Sequence, residues 1–420
     1  MAAMVAASSE HGYAGATVSR VVEGAGVSRA TFYEHFCGRE ECFRATYRVK
    51  VEAVRQVVSA AAAAAGPAER PEAVLEALLD ELSTDWTLAR ILLIEALGAP
   101  AGIRDEHEGL IDRIEAEVAA FLDDQPRSGA IQLPAAALVA GIADAIARRA
   151  LEQAGRDLRE LRADLGRWID TYRLPAGVQP LPQQEWRQLG RFERSVHPER
   201  LEGPTLLPRG RSAWPPERAA DARRLRILEA TAALSYEKGF DSLTVAEIAA
   251  RARIPRAAFY SQFAGKREAL MAAQTRGLQG AMAVAAAEYS PAAAWPQRVW
   301  RMTRAFLTFL AETPHYAHLD FVESYTAGCE AVRHRQQNHM AFALFLEDGY
   351  RRLPEVERLP PVCMEALAGA VLGLIRKQVV AGRSERMLSL LPAAAYTILT
   401  PFIGPQEAAA QVQVWARGAR

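Results

Sequence analysis

Cysteine is scarce in this chain, with four in 420 residues. Cys37, Cys42, Cys329 and Cys363 form no C-x-x-C pair, and so few thiols exclude a disulfide scaffold. Net charge is absent too, with 50 basic side chains against 50 acidic ones. That balance excludes a protein that coats nucleic acid over its whole surface, and leaves room for a local basic patch. No apolar run approaches the roughly 18 residues of a membrane helix. The Ala-rich start lacks the basic residues of a signal peptide. The expectation is a soluble, cytoplasmic protein with reduced thiols. H-E-x-x-H, phosphate-loop and nucleophile-elbow patterns are all missing, so neither an enzyme nor a cofactor is expected. Cys37 and Cys42 are close enough for a metal or redox pair, but an internal repeat sets Ala264 and Ala269 at the matching positions, and no metal is expected.

What the chain does contain is itself, twice. Gly12-Tyr13-Ala14-Gly15-Ala16-Thr17-Val18 aligns with Gly239-Phe240-Asp241-Ser242-Leu243-Thr244-Val245. At the same offset Arg29-Ala30-Thr31-Phe32-Tyr33 meets Arg256-Ala257-Ala258-Phe259-Tyr260, and Glu41 meets Glu268. The likeness fades downstream without stopping. Leu133-Pro134 recurs as Pro360-Pro361, Gly155-Arg156 recurs as Gly382-Arg383, and Ile94-Glu95 resembles Val322-Glu323 after a one-residue slip. The repeating unit is therefore a whole module.

Apolar spacing is helical over 71–82, 89–97, 110–122, 135–151 and 158–169, and again over 299–311, 342–346 and 362–380. No stretch alternates with period two, so the fold class is all-α. From 173 to 217 prolines crowd the chain, including Pro175, Pro180, Pro182, Pro198, Pro204, Pro208, Pro215 and Pro216. Proline removes a donor and blocks helix interiors. This segment reads as a linker with one short helix around Gln184–Phe192. The expected order is a head over 1–50, a helical bundle over 51–172, the linker over 173–217, a second head over 218–278 and a second bundle over 279–420.

The heads carry the chemistry. Thr17 can cap a helix whose Val18, Val21, Val22 and Ala25 form one apolar stripe. Gly26 permits a left-handed turn, Val27 is expected to plug it, and Ser28 caps the next helix. Phe32 and Phe36 face inward, which leaves Arg29, Thr31, Tyr33 and His35 facing out. Two short helices joined by a tight turn, the second presenting basic, hydroxyl and aromatic groups, make a helix-turn-helix suited to base edges. Helix starts at Thr17 and Arg39 offer free N–H groups to phosphates.

The run Gly-Tyr, Thr-Val, Ala-Gly-Val-Ser-Arg-Ala-Thr-Phe-Tyr-x-His-Phe, Gly-Arg-x-Glu resembles the signature of the TetR family of transcriptional regulators, over residues 12–43 and again over 225–270. The resemblance implies three helices forming a DNA-binding head, a connecting fourth helix, and a bundle that binds a small effector and pairs modules. It implies that Thr17 and Thr244 touch phosphate. Arg29, Thr31, Tyr33 and His35 would lie on the recognition helix beside the Ser28 cap, matched by Arg256, Ala258, Tyr260 and Gln262. Arg39 and Lys266 would hold the DNA backbone from the fourth helix. The partners implied are a double-stranded DNA operator and a small, mostly apolar effector.

The copies depart from the pattern differently. Nothing in the first matches Arg224-Leu225-Arg226-Ile227, so either its opening helix lacks a turn or the true start lies upstream. In the second, Arg253 replaces the turn glycine and Pro255 replaces the capping Ser28. Residues 1–50 hold six basic and five acidic side chains; 218–276 hold eleven and six. The second head is thus the expected stronger non-specific anchor.

Several residues admit two readings. Tyr33 and Tyr260 are surface contacts or core aromatics, and the arginines of 218–226 are phosphate contacts or a solvated face. His315 and His318 have metal-pair spacing or are surface or pocket histidines, and the latter is expected. Trp86, Trp168, Trp295 and Trp300 are expected in cores or interfaces. The functional expectation is a ligand-responsive repressor acting as a single-chain pseudo-dimer on an imperfect palindrome, or as a homodimer of the fused chain. The alternative is a ligand-sensing or protein-pairing scaffold whose heads have decayed.

Overall fold

The computed structural model describes residues 1–66, 69–125, 129–152, 158–178, 180–189, 216–354 and 359–418. Most of the expected linker, 190–215, lies outside them, as do Gly155-Arg156 and Phe192. Among the described residues there are helices and no strand; one isolated bridge pairs Ile131 with Arg173.

The first copy opens with α1 (Ala2–Gly15), α2 (Val18–Ala25), α3 (Arg29–His35) and α4 (Arg39–Ala64). Then come α5 (Arg70–Thr84), α6 (Trp86–Arg90), α7 (Ala101–Asp123), α8 (Ala135–Glu152), α9 (Leu161–Asp170) and α10 (Gln183–Leu189). The second copy repeats the head as α11 (Pro216–Lys238), α12 (Val245–Arg251), α13 (Arg256–Tyr260) and α14 (Lys266–Glu288). Its body is α15 (Trp295–Glu312), α16 (Pro314–His318), α17 (Ser324–Thr326), α18 (Cys329–His339), α19 (Glu347–Tyr350), α20 (Pro361–Val380), α21 (Leu391–Ile403) and α22 (Pro405–Gly418). The expected helix over 342–346 is part of a 3₁₀ stretch, Met340–Leu346. Both α6 and α16 run into a π-helical turn, Ile91–Glu95 and Leu319–Glu323. Such wide turns favour functional positions.

Contacts divide the chain into two compact units that do not follow the repeat. Unit 1 holds Met1–Gln188 together with Ala343–Leu374 and Tyr396–Trp415. The core of its head gathers Met4, Tyr13, Phe32, Phe43 and Tyr47 with Ile91 and Ile103 of the body. Removing each such side chain from water contributes about 1.5–3 kcal/mol. Further along unit 1, α8 of the first copy lies against α20 of the second. The fit depends on glycine. A Cβ on Gly141 would stand 2.7 Å from the Ala366 carbonyl and 2.4 Å from Trp168, and one on Gly373 would stand 2.1 Å from the Ala140 Cβ. Arg149 reaches Glu365 at 2.9 Å, the Tyr172 hydroxyl donates to the Thr397 carbonyl at 2.8 Å, and the rings of Trp186 and Tyr396 lie 4.6 Å apart.

Unit 2 comprises Leu189–Phe342, Ile375–Ala395 and Ala416–Arg420. Its core joins Ile227, Phe240, Ile248, Phe259, Phe263 and Leu270 of the head to Tyr316 and Leu319 of the body. Of the four tryptophans expected inside, Trp168, Trp295 and Trp300 are buried. Trp86 is 45% exposed, because it stands in the first turn of α6, directly after the Asp85 cap. Contrary to the expectation from apolar runs, Ser384–Ile403 is long and apolar enough to cross a membrane by composition, and 72% of it is buried inside the protein. Core helices pass the same test.

Candidate nucleic-acid interface

Each head builds its turn from the residues at hand. In the first, the Thr17 hydroxyl accepts from the Arg20 N–H at 3.4 Å and starts α2. Gly26, at φ 65°, closes it. The Ser28 hydroxyl accepts from the Thr31 N–H at 3.0 Å and starts α3. In the second, Thr244 forms a capping box with Glu247, accepting from its N–H at 3.3 Å and donating through its own N–H at 2.9 Å. Arg253 occupies the glycine position at φ 53°, the left-handed conformation that a non-glycine adopts at a cost. Pro255 starts α13 without a side-chain cap.

The recognition surfaces differ in length. Arg29, Tyr33 and His35 project from α3 into solvent, with Thr31 half-buried. In the second head Arg256 and Tyr260 are exposed, but α13 ends at Tyr260. Gln262, expected on that helix, sits in the following turn, where its N–H bonds the Phe259 carbonyl at 2.9 Å and Ser261 turns its hydroxyl back onto Ala258. Tyr33 and Tyr260 are surface groups, 56% and 52% exposed, each meeting its neighbour Phe32 or Phe259 edge-on. Val27, expected to plug the first turn, is 42% exposed, whereas its counterpart Ile254 is buried. The second head has more to cover it, since α11 runs some three turns further toward its N-terminus than α1 and adds Ile227 to the same core cluster.

Arg39 and Lys266 do matching work at the start of α4 and α14. The Arg39 guanidinium donates to the Ala14 carbonyl at 2.9 Å and lies 4.4 Å from the centre of the Tyr13 ring. The Lys266 ammonium donates to the carbonyls of Phe240 at 2.9 Å and Asp241 at 3.0 Å, and lies 4.5 Å from the Phe240 ring. Partial burial lowers the Lys266 pKa from its ordinary value, against the pull of Asp241. Both cations therefore brace the loop before the helix-turn-helix.

The arginines of α11 split between the two readings. Arg224 stacks on Phe263 at 4.5 Å and keeps solvent contact. Arg226 is buried, and burial, with Arg223 and Arg253 nearby, lowers its pKa from the ordinary guanidinium value. The candidate metal pairs come apart. Cys42 turns inward and Cys37 outward, while His315 faces Glu229 and His318 faces Glu323.

One functional relationship escaped the sequence reading. The Glu95 carboxylate, last in its π turn, accepts from the Tyr13 N–H at 2.7 Å. Glu323, last in the second π turn, accepts from the Phe240 N–H at 2.9 Å. Each head is thus tied to its body by the same strut. The second carboxylate oxygen bonds Arg90 at 3.1 Å in the first copy and His318 at 3.0 Å in the second. The shared Ile94-Glu95 and Val322-Glu323 motif was the available signal.

Residues 2–46 and again 227–273 match the family described as bacterial regulatory proteins, tetR family. Among solved structures, the chain is similar to a TetR-family regulator from Marinobacter aquaeolei (16% identity, covering 48% of this chain and 97% of that one, TM-score 0.34). It is also similar to PfmR from Thermus thermophilus (22%, 43% and 98%, TM-score 0.33) and to the fatty acid degradation regulator FadR from Bacillus halodurans (17%, 43% and 94%, TM-score 0.33). No curated protein matches. Paired helix-turn-helix heads on helical bodies define a DNA-binding transcription regulator. The heads are those of the TetR family, and this chain carries the family's head twice.

Proposed function

We propose that the chain is a ligand-responsive repressor that reads an imperfect palindrome as a single-chain pseudo-dimer, without any catalytic step. The module boundaries at 50, 172, 217 and 278 belong to this reading. The observation that carries it is the packing of α8 and α9 with α20 and α21 inside unit 1, which brings equivalent helices of the two copies together. An ordinary two-fold regulator obtains that contact from a second subunit, and two-fold proteins read two-fold sites.

The recognition surfaces are not the same. Thr31 and His35 are matched in the repeat by Ala258 and a displaced Gln262, so the half-sites differ. Thr17, Arg29, Tyr33, Arg256 and Tyr260 make the direct DNA contacts, Ser28 and Thr244 set the helix starts, and Arg39 and Lys266 hold the preceding loops in register. Three solvent-reaching arginines of α11 without counterparts in α1 (Arg218, Arg223 and Arg224) make the second head the stronger non-specific anchor. A small, mostly apolar effector binds a helical body and shifts the head through the π turn. By linkage, DNA weakens effector binding by the same factor.

Selection of random duplexes on the full chain at moderate salt tests the reading. Enrichment of two unlike half-sites about one helical turn apart supports it, as does one chain per operator complex by light scattering. A perfect palindrome bound by two chains overturns the single-chain mechanism. No enrichment from folded protein overturns the regulator and promotes a pairing scaffold.

A further inference from the structure

The two heads enter their recognition helices along the same backbone. Ser28 has φ −75° and ψ 159°, and Pro255 has φ −64° and ψ 148°. The turn before them is left-handed in both, at Gly26 (φ 65°) and Arg253 (φ 53°). The first residue of each helix is an exposed arginine, Arg29 or Arg256. What differs is the set of side chains around it.

In the first head the Arg29 guanidinium donates through one terminal nitrogen to the Ser19 hydroxyl on α2, at 2.5 Å. Beside it the Ser28 and Thr31 hydroxyls bond each other at 3.0 Å. The repeat removes every one of these hydroxyls, with Ala246 in place of Ser19, Pro255 in place of Ser28 and Ala258 in place of Thr31. Among the described residues no hydrogen bond or ion pair holds the Arg256 guanidinium. One arginine is thus tethered before DNA arrives, and its counterpart is not.

The tether leaves the reading end intact. A guanidinium carries its N–H donors in a fixed fork, and the Ser19 bond uses one hydrogen of a nitrogen that has a second. Whichever hydrogen is used, a two-donor edge remains, and such an edge fits the O6 and N7 acceptors of guanine in the major groove. A side chain already held in one place loses less freedom on binding. It also follows a displaced acceptor less readily, so a wrong base weakens binding more. We propose that Ser19 is a positioning residue that sets Arg29 to read one guanine strictly, while Arg256, without such a hold, reads its half-site loosely. The inference rests on the proposed DNA contacts of Arg29 and Arg256 and gives them unequal parts. The first head supplies sequence discrimination, and the second, with its α11 arginines, supplies grip. The operator then has one strict half and one permissive half.

Random duplexes are selected on the full chain, and the enriched duplex is remade with each single base-pair change. The strict half should hold a guanine whose replacement weakens binding about tenfold or more, with a smaller effect at the matching place in the other half. Arg29→Ala should erase the preference at that base pair. Ser19→Ala, a change to the residue the second head already carries, should erase most of it and leave affinity for random duplex unchanged. In an Arg29→Ala background it should add nothing, as expected of residues that act as a unit. Ser19→Thr, which keeps the hydroxyl, should keep the preference. Ala246→Ser should sharpen the permissive half at its matching base pair. Equal stringency in both halves, or a guanine preference that survives Ser19→Ala, overturns the inference and leaves the regulator standing. Ser19→Ala weakening every duplex alike overturns it too, because the hydroxyl would then be holding phosphate. No enrichment from folded protein removes the regulator reading and this inference with it.

Discussion

The carboxylate of Glu95 holds the backbone N–H of Tyr13 at 2.7 Å, across 82 residues of sequence. Its other oxygen meets Arg90, and both side chains are almost wholly buried, 5% and 2% exposed. In the second copy Glu323 makes the same backbone contact, but its partner His318 keeps 24% of its surface. The two struts are alike in geometry and unlike in what they leave behind when cut.

Glu95→Ala should therefore cost more than Glu323→Ala. The first removes the carboxylate from a buried ion pair, a loss of about 3–5 kcal/mol. The second removes the carboxylate that accepts from the Phe240 N–H and pairs with a partly wet histidine, about 1.5–3 kcal/mol. Urea unfolding of the two variants checks the order, and amide exchange at Tyr13 and Phe240 checks that the lost bond is the one named.

The turn position offers a paired backbone test. Gly26→Ala meets no atom within 4 Å, so its penalty is conformational, about 1–2 kcal/mol for a left-handed residue. Arg253→Gly relieves the same strain at φ 53° and should stabilise the second head, by less than the first head loses because glycine adds freedom to the unfolded chain. Thermal melts of both variants give the comparison.

Gly141 lets α8 approach the backbone of α20 in unit 1. A methyl there collides with the Ala366 carbonyl and with Trp168, and backbone cannot give way as a side-chain tip can. Gly141→Ala should destabilise by about 1–3 kcal/mol, the usual cost of overpacking. Light scattering of the wild type should show one chain per particle. A wild-type dimer that Gly141→Ala leaves untouched would argue that this seam serves folding alone.

Acid should loosen the second head through Glu247. Hydrogen bonds from Lys238 and then from Thr244 lower its pKa to about 2 from 4.5. A group with a depressed folded pKa stabilises the fold above its unfolded value, and that contribution is lost as pH falls from about 4.5 to about 2. Glu247→Gln should flatten the pH dependence of unfolding across that window. An unchanged slope would falsify the assignment.

Much of this was legible because it is local. Thr17, Gly26 and Ser28 cap and turn as their chemistry dictates, and apolar spacing located α5, α7, α8, α9, α15 and α20. Arg253 at a glycine position was readable as strain. What escaped depends on chain folded back from a distance. Val27 looks like a turn plug until one asks what covers it. Gln262 looks helical until Ser261 takes its hydroxyl back to Ala258. The motif reads Arg39 and Lys266 as DNA-backbone contacts, and three-dimensional placement adds the carbonyls they brace. Gln274 is an ordinary polar residue of a helix until its neighbours in space prove mostly apolar.

Tyr47 and Gln274 stand at one position of a duplicated helix and have gone separate ways. In a homodimer every substitution is made on both sides of the axis at once, so a gene cannot alter one pocket and spare the other. A chain that holds both copies takes each change singly. Two copies in one chain are thus free to drift apart: one body closes its interior with a bonded tyrosine, while the other leaves a bare carboxamide at the same place.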